Sequence, residues 1–290
     1  MAAHELPLER RTLHGHFSRD LAPALTIEPG DSVAISAPSS RWVLADGEPF
    51  EPRGDDERDA GHALAGPVEV RGARAGQVLE VRIDEIRAGP WGKTYTGPPA
   101  PGAHEVHWQL ADGVGRSRLF EVELQPFLGV MGMPPPEPGV HPTRPPRRWG
   151  GNIDCKELLP GATLFLPIPV DGALFSAGDG HAAQGDGEVS GTAIECPMEA
   201  RLMLDVRDGL PLEWPAARTT DSWITFGFDE HLGEAARIAL EGMLDLMSRE
   251  HGIARDDALA LASVVVDLRV TQVVNETSGV HAVLRDDALR

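Results

Sequence analysis

The sequence holds only two cysteines, Cys155 and Cys196, among 290 residues. Two thiols build no disulfide framework, and their spacing fits no zinc-finger pattern, so the expected compartment is the reducing cytoplasm. Long apolar runs are missing as well. None approaches the roughly 20 residues that a membrane-spanning helix needs. The opening MAAHELPLERRTLHGHF has no apolar stretch behind its charges, so neither membrane insertion nor secretion is indicated. Cationic residues are in short supply: 26 Lys and Arg face 45 Asp and Glu, a formal charge of -19. Nucleic acid and anionic membrane are bound by clustered Lys and Arg, so both are disfavoured as partners and a neutral or cationic small substrate is favoured. No GxxxxGK(S/T) loop and no GxSxG turn occurs, so the P-loop and serine-hydrolase readings have no support.

Hydrophobic residues at 41% and charged residues at 24% are the balance of a folded globular chain rather than a disordered one. Glycine and proline punctuate runs in which apolar and polar side chains alternate. This period of two predicts half-buried strands over 67–70, 78–83 and 119–124, and again over 162–168 and 173–176, with Val170-Asp171-Gly172 as a turn. The proline-rich segment 133–146 excludes a helix interior or central strand; it reads as a loop, either a surface connector or a wall over a site. Helical spacing begins only after Asp229. There Leu232, Ala235, Ala239, Met243, Leu244 and Met247 share one face, and Gly252 follows as a C-cap. A shorter helix is expected from near Asp256 through Ala262, with strand character returning at 264–266 and 270–274. This pattern permits an α+β, predominantly β fold class, with β-sandwich or barrel-like lobes and a smaller C-terminal α/β part. The expected division is an N-terminal β-rich lobe 1–132, a connector 133–146, and a site-bearing lobe 147–290.

Chemistry concentrates between Gly178 and Glu188, where Asp179, His181, Asp186 and Glu188 stand among glycines with almost nothing bulky between them. In an extended chain residues two apart share a face, so Asp179 pairs with His181 and Asp186 with Glu188. Such pairs suit a metal ion or acid/base work, placed at the end of a strand and in the loop beyond it. Asp154, after Gly150-Gly151-Asn152, is a further candidate ligand, since carboxylate and imidazole suit zinc and other divalent ions. Calcium is the alternative, though no EF-hand spacing is present. Glu195 is either a member of the site or a solvated strand residue. His14, His16 and His62 are free candidates as extra ligands. Cys155, with Lys156 and Glu157 beside it, offers a competing nucleophilic reading, but neighbours on a strand face opposite ways and do not easily share one reacting centre.

The segment GGNIDCKELLPGATLFLPIPVDGALFSAGDGHAAQGDGEVSGTAIECPME is similar to the signature region of the acetamidase/formamidase family. GHALAGPVEVRGARAGQVLEVRI, FLGVMG and SVVVDLRVTQVVN resemble its N-terminal, central and C-terminal segments, so the resemblance runs over most of the chain. It implies a metal-dependent hydrolase of the C–N bond of small linear amides, formamide or acetamide, working as a homo-oligomer with a divalent metal, zinc foremost. On this resemblance Asp154, Asp179 and His181 are expected to hold the metal and Glu188 to transfer protons. Asp186 and Glu195 take either role, and Asn152 and Gln184 bind substrate. Two other readings stand beside it: a non-catalytic metal- or small-ligand-binding protein on the same scaffold, and a Cys155-dependent amidase.

Overall fold

The computed structural model describes residues 1–51, 57–97 and 102–289. Strands take up 42% of the chain and helices 13%, so the fold is α+β and predominantly β, with no closed barrel among the described residues. Two large sheets carry it. The nine-stranded sheet runs, edge to edge, Ala3–Leu6, Asp31–Ala37, Met198–Arg207, Val78–Ala88, Thr163–Pro167, Ala216–Arg218, Ser222–Asp229, Ser278–Arg285 and Val266–Gln272. The eleven-stranded sheet follows the path Glu121–Glu123, Val114–Arg116, Glu105–Ala111, Trp91–Tyr95, Glu195–Cys196, Phe175–His181, Phe127–Gly132 and Gly150–Asn152; Leu64–Val70 also pairs with Phe175–His181 and carries Leu13–His14 and Leu25–Ile27. Both sheets take strands from either side of the proline-rich segment 133–146.

The main core lies between the sheets. Val33, Leu79, Val81, Leu164 and Leu202 come from one, Val68, Leu128, Met131, Phe175 and Ala177 from the other. A period of two is clean in Asp31–Ala37, whose side chains alternate between buried and half-buried. In Val78–Ala88 the first four residues are all buried, because even the outward Glu80 is covered and accepts a hydrogen bond from Arg207. The expected strand 119–124 shrinks to Glu121–Glu123. Leu119 and Phe120 belong to the turn before it, where Ser117 donates to the Phe120 carbonyl, and both are exposed.

Two helices, α1 (Leu232–His251) and α2 (Arg255–Val265), form the smaller part. Helix α1 ends at Gly252, in the left-handed conformation at φ 65° that a C-cap glycine adopts readily. Its apolar stripe of Ala235, Ala239, Met243, Leu246 and Met247 packs with Val280, Ala282 and Leu284 of the neighbouring strand, so the methionines are core. The Thr225 hydroxyl donates to the Ala239 carbonyl at 2.7 Å and ties helix to sheet. Val264 and Val265 finish α2 instead of opening the next strand; tertiary context overrides the β preference of a valine run. No helix among the described residues is long and apolar enough to cross a membrane.

Both ring nitrogens of His14 and Nδ1 of His16 are engaged in this framework. The His14 Nδ1 donates to the His16 carbonyl at 2.6 Å, which leaves Nε2 to accept from the Ser176 hydroxyl at 3.0 Å, and His16 Nδ1 meets the Arg58 carbonyl at 2.8 Å. Burial, with His16 beside it, pushes the His14 pKa down to about 3. An unfolded chain titrates this group near 6.5. The unfolded state therefore binds the extra proton first, and the stability contributed by neutral His14 is complete above about pH 6.5 and is lost as pH falls toward 3. Urea midpoints measured across that window should fall less steeply with acid for His14→Asn than for the unmodified protein.

Candidate active site

The strand Phe175–His181 is the axis of the site. Its side-chain-free positions are set by its neighbours: a Cβ on Gly178 would lie 2.3 Å from the Ala63 carbonyl oxygen, and one on Gly180 would lie 2.6 Å from that of Cys196. Close approach of adjacent backbones, not a turn, requires glycine at these two places. Asp179 and His181 stand between and after them and are both buried. The strand thus continues through the acidic motif, where a strand end and loop are expected from the sequence. Only past His181 does the chain leave the sheet.

Five of the expected residues converge. His181 Nε2 is 3.2 Å from Glu195 Oε1 and 3.5 Å from Asp179 Oδ2, while Asp154 Oδ1 lies 3.8 Å from Nδ1. Glu195 enters on the adjacent strand, in register with His181. Glu188 returns from the loop so that its carboxylate, that of Asp154 and the His181 ring fall within 4.8 Å of one another; Asp179, His181 and Glu195 form a second such group. All five are buried.

Gln184 decides the tautomer. Its Nε2 donates to the Asp154 carbonyl at 2.8 Å, so its Oε1 must face His181 Nδ1, 2.9 Å away, and accept the proton there. The Nε2 lone pair of a neutral His181 then points at two carboxylates. Three electron-pair donors facing one another in a dry space need a cation or a proton between them. The electrostatics follow from this. Burial alone would push the imidazole down, yet Glu195 and Asp179 hold it well above its ordinary range. Burial raises Asp179, but His62 and His181 outweigh it and keep the carboxyl well below the usual carboxylate range. Burial and the Glu188 charge push Asp154 well up, and burial, helped by Glu195 and Asp179, pushes Glu188 up to about 8.

The donor set fits a divalent metal. Asp154 Oδ1, Asp179 Oδ1 and Glu188 Oε2 are buried oxygens without hydrogen-bond partners. Gly129, on the facing strand, leaves open the space in front of them: a Cβ there would lie 2.6 Å from Asp154 Oδ1 and 2.7 Å from Asp179 Oδ2. Several supporting residues come from far away in the sequence. Ser40 donates to Glu195 Oε2 at 2.6 Å, Asn275 donates to Asp154 Oδ2 at 2.6 Å, and the Phe127 ring meets His181 edge-on at 5.1 Å. His62 Nε2 stands 3.9 Å from Asp179 Oδ2 and its Nδ1 meets the Thr143 hydroxyl at 2.8 Å, so of the three early histidines it alone reaches the cluster. Signals for these residues were slight: Gly129 and Asn275 sit inside FLGVMG and TQVVN, but nothing local in those strings points to the site.

One expected residue lies elsewhere. Asp186 is exposed in a turn and pairs with Lys156 at 2.7 Å; the alternation that would align it with Glu188 ends with the strand. Asn152 is buried on the strand beside Phe127–Gly132, opposite Val130, with its Oδ1 unpartnered.

The family model described as the Acetamidase/Formamidase family matches residues 137–284, half of the chain. The chain belongs to the acetamidase/formamidase family. It is similar to the acetamidase of Mycolicibacterium smegmatis, 26% identical over 254 aligned positions that cover 61% of this chain and 61% of that protein. The chain thus spans less than two thirds of that curated relative. Among solved structures, it resembles a recombinant predicted acetamidase/formamidase from Thermoanaerobacter tengcongensis at TM-score 0.88 and 26% identity, covering 100% of this chain and 98% of that one. An acetamidase from Bacillus halodurans follows at TM-score 0.86 and 26% identity, covering 98% and 97%.

Gly178→Ala should lose at least ~1–3 kcal/mol of stability through overpacking against backbone. Gly185→Ala, whose Cβ would meet nothing within 4 Å, should be close to neutral. Equilibrium unfolding of the two variants checks the contrast.

Proposed function

We propose that the chain is a metal-dependent amidohydrolase that cleaves the C–N bond of small linear amides, formamide or acetamide, to ammonia and the carboxylic acid. The observation that carries this is the buried His181 Nε2 aimed at Asp179 and Glu195, with a carboxyl of raised pKa, Glu188, in the same cluster. Family membership and the names of the relatives support the same reaction.

Asp179, His181 and Glu195 would hold the metal, with Asp154 and Glu188 alongside. One imidazole among carboxylates favours zinc over calcium, which takes an all-oxygen shell of six to eight ligands. When bound, the metal supplies Lewis acidity that polarises a carbonyl and acidifies water. Gln184 keeps His181 in the required tautomer by spending both ends of its amide inside the cluster. Asn275 fixes the Asp154 carboxylate through Oδ2, and Ser40 fixes Glu195. Glu188, with its pKa near the working range, accepts a proton as water adds to the amide carbon and returns one to the departing nitrogen, so the C–N bond breaks to leave ammonia. Cys155 lends the nucleophilic alternative no support: it is fully buried, and burial with the Glu157 charge holds its thiol well above the ordinary range. The same reading keeps the cytoplasm as compartment and a homo-oligomer as the working form.

Ammonia release from formamide, acetamide and propionamide is the test, before and after chelation and with zinc, calcium or manganese restored. Chelator-sensitive release restored by zinc is expected; silence with every metal would favour the ligand-binding reading. Glu188→Gln should lower kcat by ~10²-fold or more while the fold persists. Gly129→Ala should weaken zinc binding by about 10- to 100-fold, the scale on which groups around metal ligands act, measured by zinc titration of the stripped protein.

A further inference from the structure

Behind Asp154 lies a second group of ligand-type side chains that the proposed reaction does not use: Cys155, Glu157 and His281. Cys155 and Glu157 come from the turn after Asp154, where the Leu158 amide donates to the Cys155 carbonyl at 3.1 Å. His281 comes from the strand Ser278–Arg285 and is 1% exposed. Glu157 Oε2 is the hub. It accepts the Cys155 thiol proton at 3.2 Å and stands 3.5 Å from His281 Nε2, without a hydrogen bond between them. One sulfur, one nitrogen and one oxygen donor therefore lie within 4.8 Å of one another.

The surroundings are built as for a ligating histidine. The Thr271 hydroxyl meets His281 Nδ1 at 2.8 Å and can accept its proton, which leaves Nε2 as the free lone pair. That atom is buried, has no hydrogen-bond partner, and faces the thiol and the carboxylate. Arg269 holds the other carboxylate oxygen, Oε1, at 2.8 Å and so fixes Oε2 toward the group. Ligand atoms on a tetrahedral zinc, with bonds of 2.0–2.3 Å, stand about 3.3–3.7 Å apart, close to the separations of 3.2 and 3.5 Å found here. A cavity of about 330 Å³, lined by Glu157, Arg269, Asp267 and Arg285 among others, adjoins the group on the Glu157 side.

We propose that Cys155 Sγ, Glu157 Oε2 and His281 Nε2 form a second divalent-cation site, selective for thiophilic ions such as zinc, with a structural role. On binding, the sulfur–hydrogen bond breaks, the proton leaves to solvent and a sulfur–metal bond forms, with no change of oxidation state. Thiolate and carboxylate together neutralise the dication. Such an ion clamps the turn 154–157 to the strand Ser278–Arg285, and thereby the backbone that presents Asp154. Cys155 has no exposed surface, so the group holds an ion and does not meet substrate.

The test uses sulfur as its reporter, because the Asp179, His181 and Glu195 set contains none, and its outcome is independent of whether amides are turned over. The full chain is stripped with chelator and titrated with cobalt(II). A near-ultraviolet thiolate-to-cobalt charge-transfer band is expected, absent in Cys155→Ser and His281→Gln and kept in Cys196→Ser. A missing band, or one that survives Cys155→Ser, overturns the site. Should the variants fail to fold, X-ray absorption at the zinc edge of the loaded unmodified protein decides: a sulfur neighbour at about 2.3 Å supports the site, and a shell of nitrogen and oxygen alone overturns it.

Discussion

Four carboxylates and one imidazole are held together out of water, and the rest of the structure is arranged to tolerate this. Removing a carboxylate from water is costly unless it is paired, hydrogen-bonded or joined to a cation. Here Glu195 leans on Ser40 and His181, Asp154 on Asn275, and Asp179 on His181 with His62 beyond. Even so, several oxygens keep no partner, and burial with the neighbouring carboxylates raises the pKa values of Asp154 and Glu188 strongly. Groups driven this far from their ordinary range, in one buried cluster, make it the candidate functional site.

The backbone shows the same concentration of demand. Asp154, Asp179 and Glu188 all have positive φ, at 55°, 59° and 46°, in a region that side-chain-bearing residues rarely occupy. Each such residue costs on the order of 1–3 kcal/mol, held in place by its surroundings. The sheet supplies that restraint. Phe175–His181 is flanked on one side by Phe127–Gly132 and on the other by Leu64–Val70 and then Glu195–Cys196, so the strand that carries Asp179 is fixed along both edges. The glycines at 178 and 180 are what let those neighbours come so near.

Much of this was legible in the sequence, for identifiable reasons. The predominance of strands follows from period-two runs between glycine and proline, and α1 from an apolar stripe at helical spacing. Asp179, His181 and Glu188 stand out because they share a short motif with glycines, and Asp154 because it is a carboxylate directly after Gly150-Gly151-Asn152; Glu195 is open between site member and solvated strand residue, and the similarity of residues 150–199 to one family adds only the roles. Asp186 was drawn in by assuming that the alternation persists, but the chain turns after His181 and sends it to Lys156 at the surface. Gly129, Ser40 and Asn275 carry no such local signal, and His62 is marked in the sequence only as one of three candidate histidines. They reach the cluster through strand pairing and loops that join distant parts of the chain, information that no local pattern carries. The division at 133–146 is visible as composition, yet both sheets are woven from strands on its two sides.

That weaving has a consequence for how the chain must be made. Asp31–Ala37 and Val78–Ala88, synthesised early, are neighbours only through Met198–Arg207, which is inserted between them. Leu64–Val70 likewise waits for Phe175–His181. A nascent chain with its first half outside the ribosome can form the pairs of Asp31–Ala37 with Ala3–Leu6 and of Leu64–Val70 with Leu13–His14 and Leu25–Ile27, but the other edges of Asp31–Ala37 and Leu64–Val70 stay unmatched. Such high contact order makes folding slow and leaves aggregation-prone edges exposed while synthesis continues. Both sheets, and the site between their strands, close only when the later half of the chain arrives.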